Sequence, residues 1–233
     1  MVRQLDETQV AAVTGNPRVR NRSTLLGRIQ VGEFSSIVGL IKRAQRSVGL
    51  IFTVAGVITA FRRSALHAVG YWSPEKLTED VDISWKLQMA DWEVRFEPRA
   101  LCWILMPETL RGLWKQRLRW SMGGTQVLLD YWPQLLSFRR ARLWPLCIEY
   151  ALSILWACLF ALLAVYRVTD LVLYRIDLQS APILLLGWAG LLIGTTCLLQ
   201  MMLSLILDRP YDHGLLRNYF WTIWYPIIYW VIT

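Results

Sequence analysis

Thr78-Glu79-Asp80, followed after a strand-like interval by Gln116-Arg117-Leu118-Arg119-Trp120, is the stretch on which the reading of this 233-residue chain turns. An acidic triplet opening a helix is common, because a carboxylate at a helix N-terminus is stabilised by roughly 0.3–1 kcal/mol, and alone it identifies nothing. The second cluster is more selective. Gln116, Arg119 and Trp120 fall at i, i+3 and i+4, so an amide, a guanidinium and an indole share one helix face. Arg119 can grip two phosphate oxygens, Gln116 can donate and accept, and Trp120 offers a flat apolar surface. Sugars and diphosphates are the ligands that need such a set.

In this order the two motifs resemble the processive family 2 glycosyltransferases, which include the cellulose, chitin and hyaluronan synthases. The run from Trp103 to Trp120 looks most like the bacterial poly-β-1,6-N-acetyl-D-glucosamine synthases, and the likeness extends over nearly the whole chain. The resemblance implies an α/β fold, part of a GT-A type nucleotide-sugar transferase domain, followed by an α-helical transmembrane region. It implies an inverting transferase that polymerises N-acetylglucosamine from UDP-N-acetylglucosamine into a biofilm polysaccharide and passes it across the membrane. Asp80 would be the general base, with Thr78 and Glu79 beside it, and Gln116, Arg117, Arg119 and Trp120 would bind substrate. A small membrane partner subunit and cyclic di-GMP are implied by the resemblance alone. Other synthases of the family, or a non-catalytic membrane-interaction protein with a degenerate transferase surface, are the competing readings.

Asp80-Val81-Asp82 is the one Asp-x-Asp of the chain, so a metal-ligand role competes with the base role. The family's order places the metal motif upstream of a strand matched here by Val10 to Thr14, which argues for the base. The Mg²⁺ or Mn²⁺ expected of such an enzyme would then have no ligands in this chain. The expectation is a piece of a longer protein whose nucleotide- and metal-binding half precedes Met1, so that this polypeptide alone is inactive.

Composition fits a membrane enzyme: 55% of residues are hydrophobic, 13 are Trp and the net charge is +8. The charge is uneven, about +9 over residues 1–145 and about −1 over 146–233. A basic region adjoining apolar helices reads as a cytoplasmic domain against anionic lipid, and no nucleic-acid motif accompanies it. Cys102, Cys147, Cys158 and Cys197 have neither paired nor metal-ligand spacing and read as reduced packing residues.

Residues 1–106 read as the C-terminal part of the catalytic domain. Val10-Ala11-Ala12-Val13-Thr14 has a strand pattern ended by a Gly15-Asn16-Pro17 turn. Residues 18–28 are arginine-rich, a solvated face or a phosphate contact, and the apolar stripe from Leu26 to Ile41 predicts a domain-surface helix. Leu50 to Ala55 reads as a buried strand ending at Gly56, Ala60 to Leu66 as a strand turning into a short helix near the acceptor, and His67 as structural. The helix after Asp80 should pack through Ile83, Leu87 and Ala90 with its acidic first turn facing out and Asp80 ionised. Trp92 to Pro98 and Ala100 to Met106 read as two extended runs.

Residues 107–142 read as an interfacial helix plus basic linker, with Leu110, Leu113, Trp114, Leu118 and Ser121 towards lipid and Gln116 and Arg119 opposite. Trp114 reads as an interface anchor. Residues 143–233 read as transmembrane helices, about 143–168, 178–207 and a cut-off 218–233, since about 20 apolar residues cross a bilayer core. Arg139, Arg140 and Arg142 make the entry cytoplasmic, so that the loop with Arg167, Asp170, Arg175 and Asp177 faces outward and Asp208 to Arg217 inward. Glu149 should sit at headgroup level. The location this implies is a bacterial inner membrane, crossed several times.

Overall fold

A computed structural model of the chain describes residues 1–174 and 188–225. Its centre is β1 (Val10–Val19), flanked in the order β2-β1-β3 by an antiparallel β2 (Thr59–Phe61) and a parallel β3 (Glu93–Ile104). All ten residues of β1 are buried, as expected of a middle strand covered on both faces. The expected turn at Gly15-Asn16-Pro17 is not there: β1 runs through it, pairing Asn16 with Leu101 and Pro17 with Cys102. The register slips between Thr14/Phe96 and Asn16/Leu101, and a bulge of this kind is where a sheet tolerates proline. Gly15 is required here, since a Cβ would lie 2.5 Å from the Ala100 carbonyl oxygen. The two extended runs expected around Pro98 are likewise one strand.

The Leu50 to Ala55 segment is buried but is not a strand, which corrects the sequence reading. Side chains supply what a neighbouring strand would have: Gln88 accepts from Ile51 N and donates to its carbonyl, Gln45 Oε1 accepts from Phe52 N, Ser84 Oγ from Val54 N and Thr14 Oγ1 from Ala55 N. Buried backbone groups demand partners, and side chains meet the demand as well as a ladder does.

The helical stretch expected from Leu26 to Gly49 is present as α1 (Leu25–Phe34), a π-helical segment Ser35–Ile41 and α2 (Lys42–Ser47), started by Thr24, whose hydroxyl accepts from Gly27 N at 3.1 Å. It is not a surface helix: Gln30, Glu33, Ser35 and Lys42 are all buried. The cover comes from α7 (Trp188–Asp208), which lies on the π-helical segment, and from α8 (Tyr219–Thr222) against α1. Nor is the arginine-rich strip solvated. Arg18, 1% exposed, bonds Asp208 at 2.5 Å and Asp212 at 3.1 Å, while Arg22 pairs with Asp212 and Arg43 with Asp208. The central strand is thereby tied to the end of α7 and the turn after it.

The remaining helices are α3 (Arg63–Ala68), α4 (Glu79–Met89), α5 (Leu110–Leu135) and α6 (Trp144–Tyr174). Two helical stretches, Phe138–Leu163 and Leu191–Tyr211, are long and apolar enough to cross a membrane, and only 11% and 22% of their apolar windows are buried. Soluble monomers rarely expose that much contiguous apolar surface. Arg167 and Asp170 fall inside α6 rather than in a loop, and Cys158 is exposed on α6 rather than packed. The other half of that expected loop, Arg175 and Asp177, lies outside the described residues, as do 178–187 and 226–233 of the expected spans.

Asp208→Ala is expected to destabilise the protein by about 3–5 kcal/mol, because it strands Arg18 without its closest counter-charge in a dry site. The measurement is the unfolding midpoint in detergent against wild type. An unchanged midpoint would show that the ion cluster does not hold α7 to the sheet.

Candidate active site

Asp80 lies in the first turn of α4, and the loop before it is shaped by α5. Arg119 Nη1 donates to the Leu77 carbonyl at 3.1 Å and Gln126 Oε1 accepts from Leu77 N at 3.3 Å. One residue on, Thr78 rests against Gly123, where a Cβ would lie 2.8 Å from the Thr78 Cβ. The next glycine, Gly124, gives the same close approach to the Tyr150 ring of α6. The Gly123-Gly124 pair costs helix propensity of roughly 1 kcal/mol per residue, and the closeness of both neighbours is what it makes possible. The loop that leads into Thr78-Glu79-Asp80 is thus held by the helix that carries Gln116 to Trp120.

The acidic turn divides three ways. Glu79 is exposed, Asp80 half-buried and Asp82 fully buried, so the first turn does not simply face out as expected. Asp82 is consumed by the fold: Ser73 Oγ donates to it at 2.7 Å, Tyr131 Oη at 2.7 Å, and Lys86 Nζ stands 3.4 Å away. That carboxylate pushes the Tyr131 phenol well above its ordinary pKa, second only to burial as the cause. With Asp82 so occupied, Asp80-Val81-Asp82 does not fit a metal-binding pair. Among the described residues no three His, Cys, Asp or Glu are grouped to hold an ion.

Asp80 differs. Its carboxylate accepts from Val81 N at 3.0 Å. Burial pushes its pKa up, the Val81 bond opposes that, Glu79 adds to it and the Lys42 cation opposes it. Its place at the helix N-terminus favours the ionised form and desolvation opposes it. A raised pKa brings the group nearer to neutral pH, where a general base is most effective.

On α5 the helix face splits by use. Leu110, Trp114, Leu118, Met122 and Leu129 form an exposed apolar row, but Leu113 is fully buried against Ile29 instead of joining it. Gln116 is half-buried and its Oε1 is a buried acceptor without a partner, as is the Thr78 hydroxyl on the adjoining loop. Arg117 is not open to a ligand: it bonds Glu33 at 2.6 Å and lies over the Trp120 ring at 4.4 Å. Trp120 is half-buried at the edge of the main core, 6.4 Å from the Phe34 ring. Glu33 and Arg117 therefore hold the indole still, and Arg119 remains exposed.

Sequence reasoning missed Glu33, Lys42, Gln126 and the Gly123-Gly124 pair. The glycines alone left a signal, as a helix-breaking pair inside an otherwise strong helix. His67 bonds Tyr71 Oη at 2.9 Å, a local structural role. Glu149 is exposed near the start of α6, beside a cavity that also reaches Lys42.

Among characterised proteins the chain is similar to the poly-beta-1,6-N-acetyl-D-glucosamine synthase of Staphylococcus epidermidis strain RP62A, with 40% identity over 225 residues, 96% of this chain and 54% of the relative. The synthase of the same name from Staphylococcus aureus strain COL is 39% identical over 226 residues, 97% of this chain and 55% of the relative. The chain thus spans about half the length of the curated relatives it matches. The family model described as glycosyl transferase family group 2 matches residues 1–233. With a match over its full length, the chain belongs to glycosyl transferase family group 2.

Proposed function

We propose that this chain forms the acceptor side of a membrane-bound inverting glycosyltransferase that extends a β-1,6-linked N-acetylglucosamine polymer from UDP-N-acetylglucosamine. The observation that carries the reading is the packing of α5 on the loop that leads into Asp80, through Arg119 to the Leu77 carbonyl and Gly123 to Thr78, with Gln116 Oε1 and Thr78 Oγ1 each a buried polar atom without a partner. Buried polar atoms without partners are costly, about 1–3 kcal/mol each, and a polar substrate such as a sugar would satisfy them.

The reaction is a single displacement. The acceptor hydroxyl oxygen bonds to the anomeric carbon of the donor as the bond from that carbon to the UDP oxygen breaks, and the hydroxyl proton passes to the Asp80 carboxylate. Arg119 and Gln116 stabilise the negative charge gathering on the departing diphosphate. Trp120, clamped by Arg117 and Phe34, holds the acceptor sugar by stacking. Arg117 acts through Trp120 and not on the substrate. A divalent metal, which the family generally uses, has no fitting ligand set among the described residues, and no step is routed through it.

The exposed apolar row of α5 and the two candidate spans support a catalytic part lying on the cytoplasmic face of a bacterial inner membrane. The start of α6 and the end of α7 both pack on the α/β region, in keeping with a helical hairpin that leaves and re-enters that side.

Three outcomes are expected for the full-length natural protein in membranes, read as incorporation of labelled sugar into polymer at matched protein level. Asp80→Asn lowers the rate by about 10² to 10⁴ and leaves UDP binding largely intact by calorimetry. Loss of UDP binding instead would make Asp80 a metal ligand. Gly123→Ala pushes Thr78 and the base out of place and removes most activity, while the protein still inserts and folds, its stability lowered by about 1–3 kcal/mol from overpacking. Full activity of that variant would mean that the α5 contact does not set the site. Trp120→Ala reduces synthesis severely, Trp120→Phe keeps part of it, and Trp114→Ala, at a side chain 55% exposed, is mild. Equal losses at Trp114 and Trp120 would reduce both to interfacial anchors.

A further inference from the structure

Lys42 opens α2 and is only 6% exposed, yet among the described residues its ammonium has neither a hydrogen bond nor an ion pair. It lines a cavity of about 170 Å³ between the helical stretch 25–47, the 50–55 segment and the start of α6. Glu149 of α6 lines the same cavity, is exposed and likewise has no partner among the described residues. Two charges of opposite sign thus share one cavity without pairing. Burial pulls the Lys42 pKa down to about 8, which leaves it a cation at neutral pH. A buried cation calls for a counter-charge within reach, and the cavity is the open space in which one can sit.

The position of the cavity decides what reaches it. α6 has 31 residues, about 46 Å of helix at 1.5 Å each, close to the roughly 40–45 Å of a bilayer with its head groups. Glu149 stands five residues past Trp144, about 8 Å from the start of that helix, at the depth that head groups occupy. Beside it Ile148, Leu152 and Leu155 form an exposed apolar row suited to acyl chains. Across the cavity Ile37 is also exposed, so the apolar lining of Ile37, Ile41, Phe52 and Tyr150 continues onto the outer surface.

Charge narrows the ligand further. A neutral sugar leaves Lys42 unanswered, and a free phosphate or a nucleotide diphosphate answers it but stands against the Glu149 carboxylate. The volume is also below the roughly 300–1,000 Å³ of pockets that take drug-sized ligands. A small zwitterion, with a phosphodiester and a primary ammonium a few bonds apart, matches both charges. We propose that the cavity seats the head group of an aminophospholipid, its phosphate accepting from Lys42 and its ammonium donating to Glu149, with the acyl chains along Ile37 and the outer face of α6. The proposal rests on the reading of α6 as a membrane span and is independent of the transfer chemistry. Tyr150 in the cavity wall is the ring that Gly124 admits, so an occupied cavity also supports the face of α6 on which α5 packs.

The experiment takes the full-length natural protein from membranes into detergent, offers it phosphatidylethanolamine, phosphatidylcholine and phosphatidylglycerol in equal amounts, and counts the lipid it retains by native mass spectrometry. Wild type is expected to favour phosphatidylethanolamine about tenfold, over phosphatidylcholine because that head has no N–H for Glu149 and over phosphatidylglycerol because that head brings no cation. Lys42→Met is expected to lower retained phosphatidylethanolamine about tenfold, and Glu149→Gln to bring it down to the level of phosphatidylglycerol. Glu149 is exposed, so its variant decides even where Lys42→Met fails to insert. Arg139→Met, at an exposed cation away from the cavity, is expected to match wild type. An inserted wild type without lipid preference overturns the proposal, as does a Glu149→Gln protein that still prefers phosphatidylethanolamine, or an equal loss in Arg139→Met, which would make the attraction one of diffuse charge. Displacement of the lipid by millimolar inorganic phosphate would make the cavity a free-anion site, and displacement by an N-acetylglucosamine oligomer would assign it to the polymer. Wild type that carbonate strips from membranes overturns the span reading and the proposal together, whereas the other results leave the span reading standing.

Discussion

Arg18 sits near the end of the central strand and is answered by two carboxylates from far along the chain, Asp208 at 2.5 Å and Asp212 at 3.1 Å. Such a cluster is not a generous source of stability, since desolvating the charges consumes most of what their attraction returns. What it enforces is geometry. A buried guanidinium must have its acceptors in place, so the sheet and the end of α7 can meet in only one arrangement. Gly39 allows it, because a Cβ there would collide with the Asp208 carboxylate, 2.9 Å from its Cγ. The α/β region is thereby fixed in register with helices long and apolar enough to cross a bilayer.

The same economy runs through α5. A helix that presents Leu110, Trp114, Leu118 and Met122 on one side cannot also bury that side in the domain, so it is bound by what projects elsewhere. Leu113 goes into the core, Gly123 meets Thr78 and Gly124 meets Tyr150. The apolar row faces out, and the glycines fix how closely the helix approaches the Thr78 loop and α6. The exposed apolar row and the loop that leads into Asp80 therefore depend on one rigid element. A helix without the glycine pair would stand off from both neighbours by a side-chain radius, enough to undo a hydrogen-bonded site.

How much of this was legible in the sequence depended on where each partner lay. The two motifs, the short helix after Phe61 and the apolar spans were readable because their signals are local: spacing on one helix, periodicity, length. What escaped was non-local. The burial of Arg18 is set by acids 190 and 194 residues away, and an arginine-rich strip looks solvated until those acids are placed on it. Leu50 to Ala55 has a strand's composition, but its partners are the side chains of Gln45, Gln88, Ser84 and Thr14. Gly15-Asn16-Pro17 has the composition of a turn, but β3 bulges to accommodate it. In each case a correct local preference was overruled by a neighbour that the pattern could not name.

The acidic turn shows why motif and environment have to be read together. Asp80 and Asp82 are two residues apart on one helix and chemically identical, and a pattern alone makes them a pair. The fold separates them. Asp82 is sealed in with a serine, a tyrosine and a lysine, every lone pair of use to the structure already engaged. Asp80 keeps one backbone donor and an otherwise open carboxylate, with burial raising its pKa and a buried lysine opposing the rise. Desolvation and the like charge of Glu79 act one way on Asp80, and the Val81 bond and the Lys42 cation act the other, so the helix N-terminus alone does not set its proton affinity.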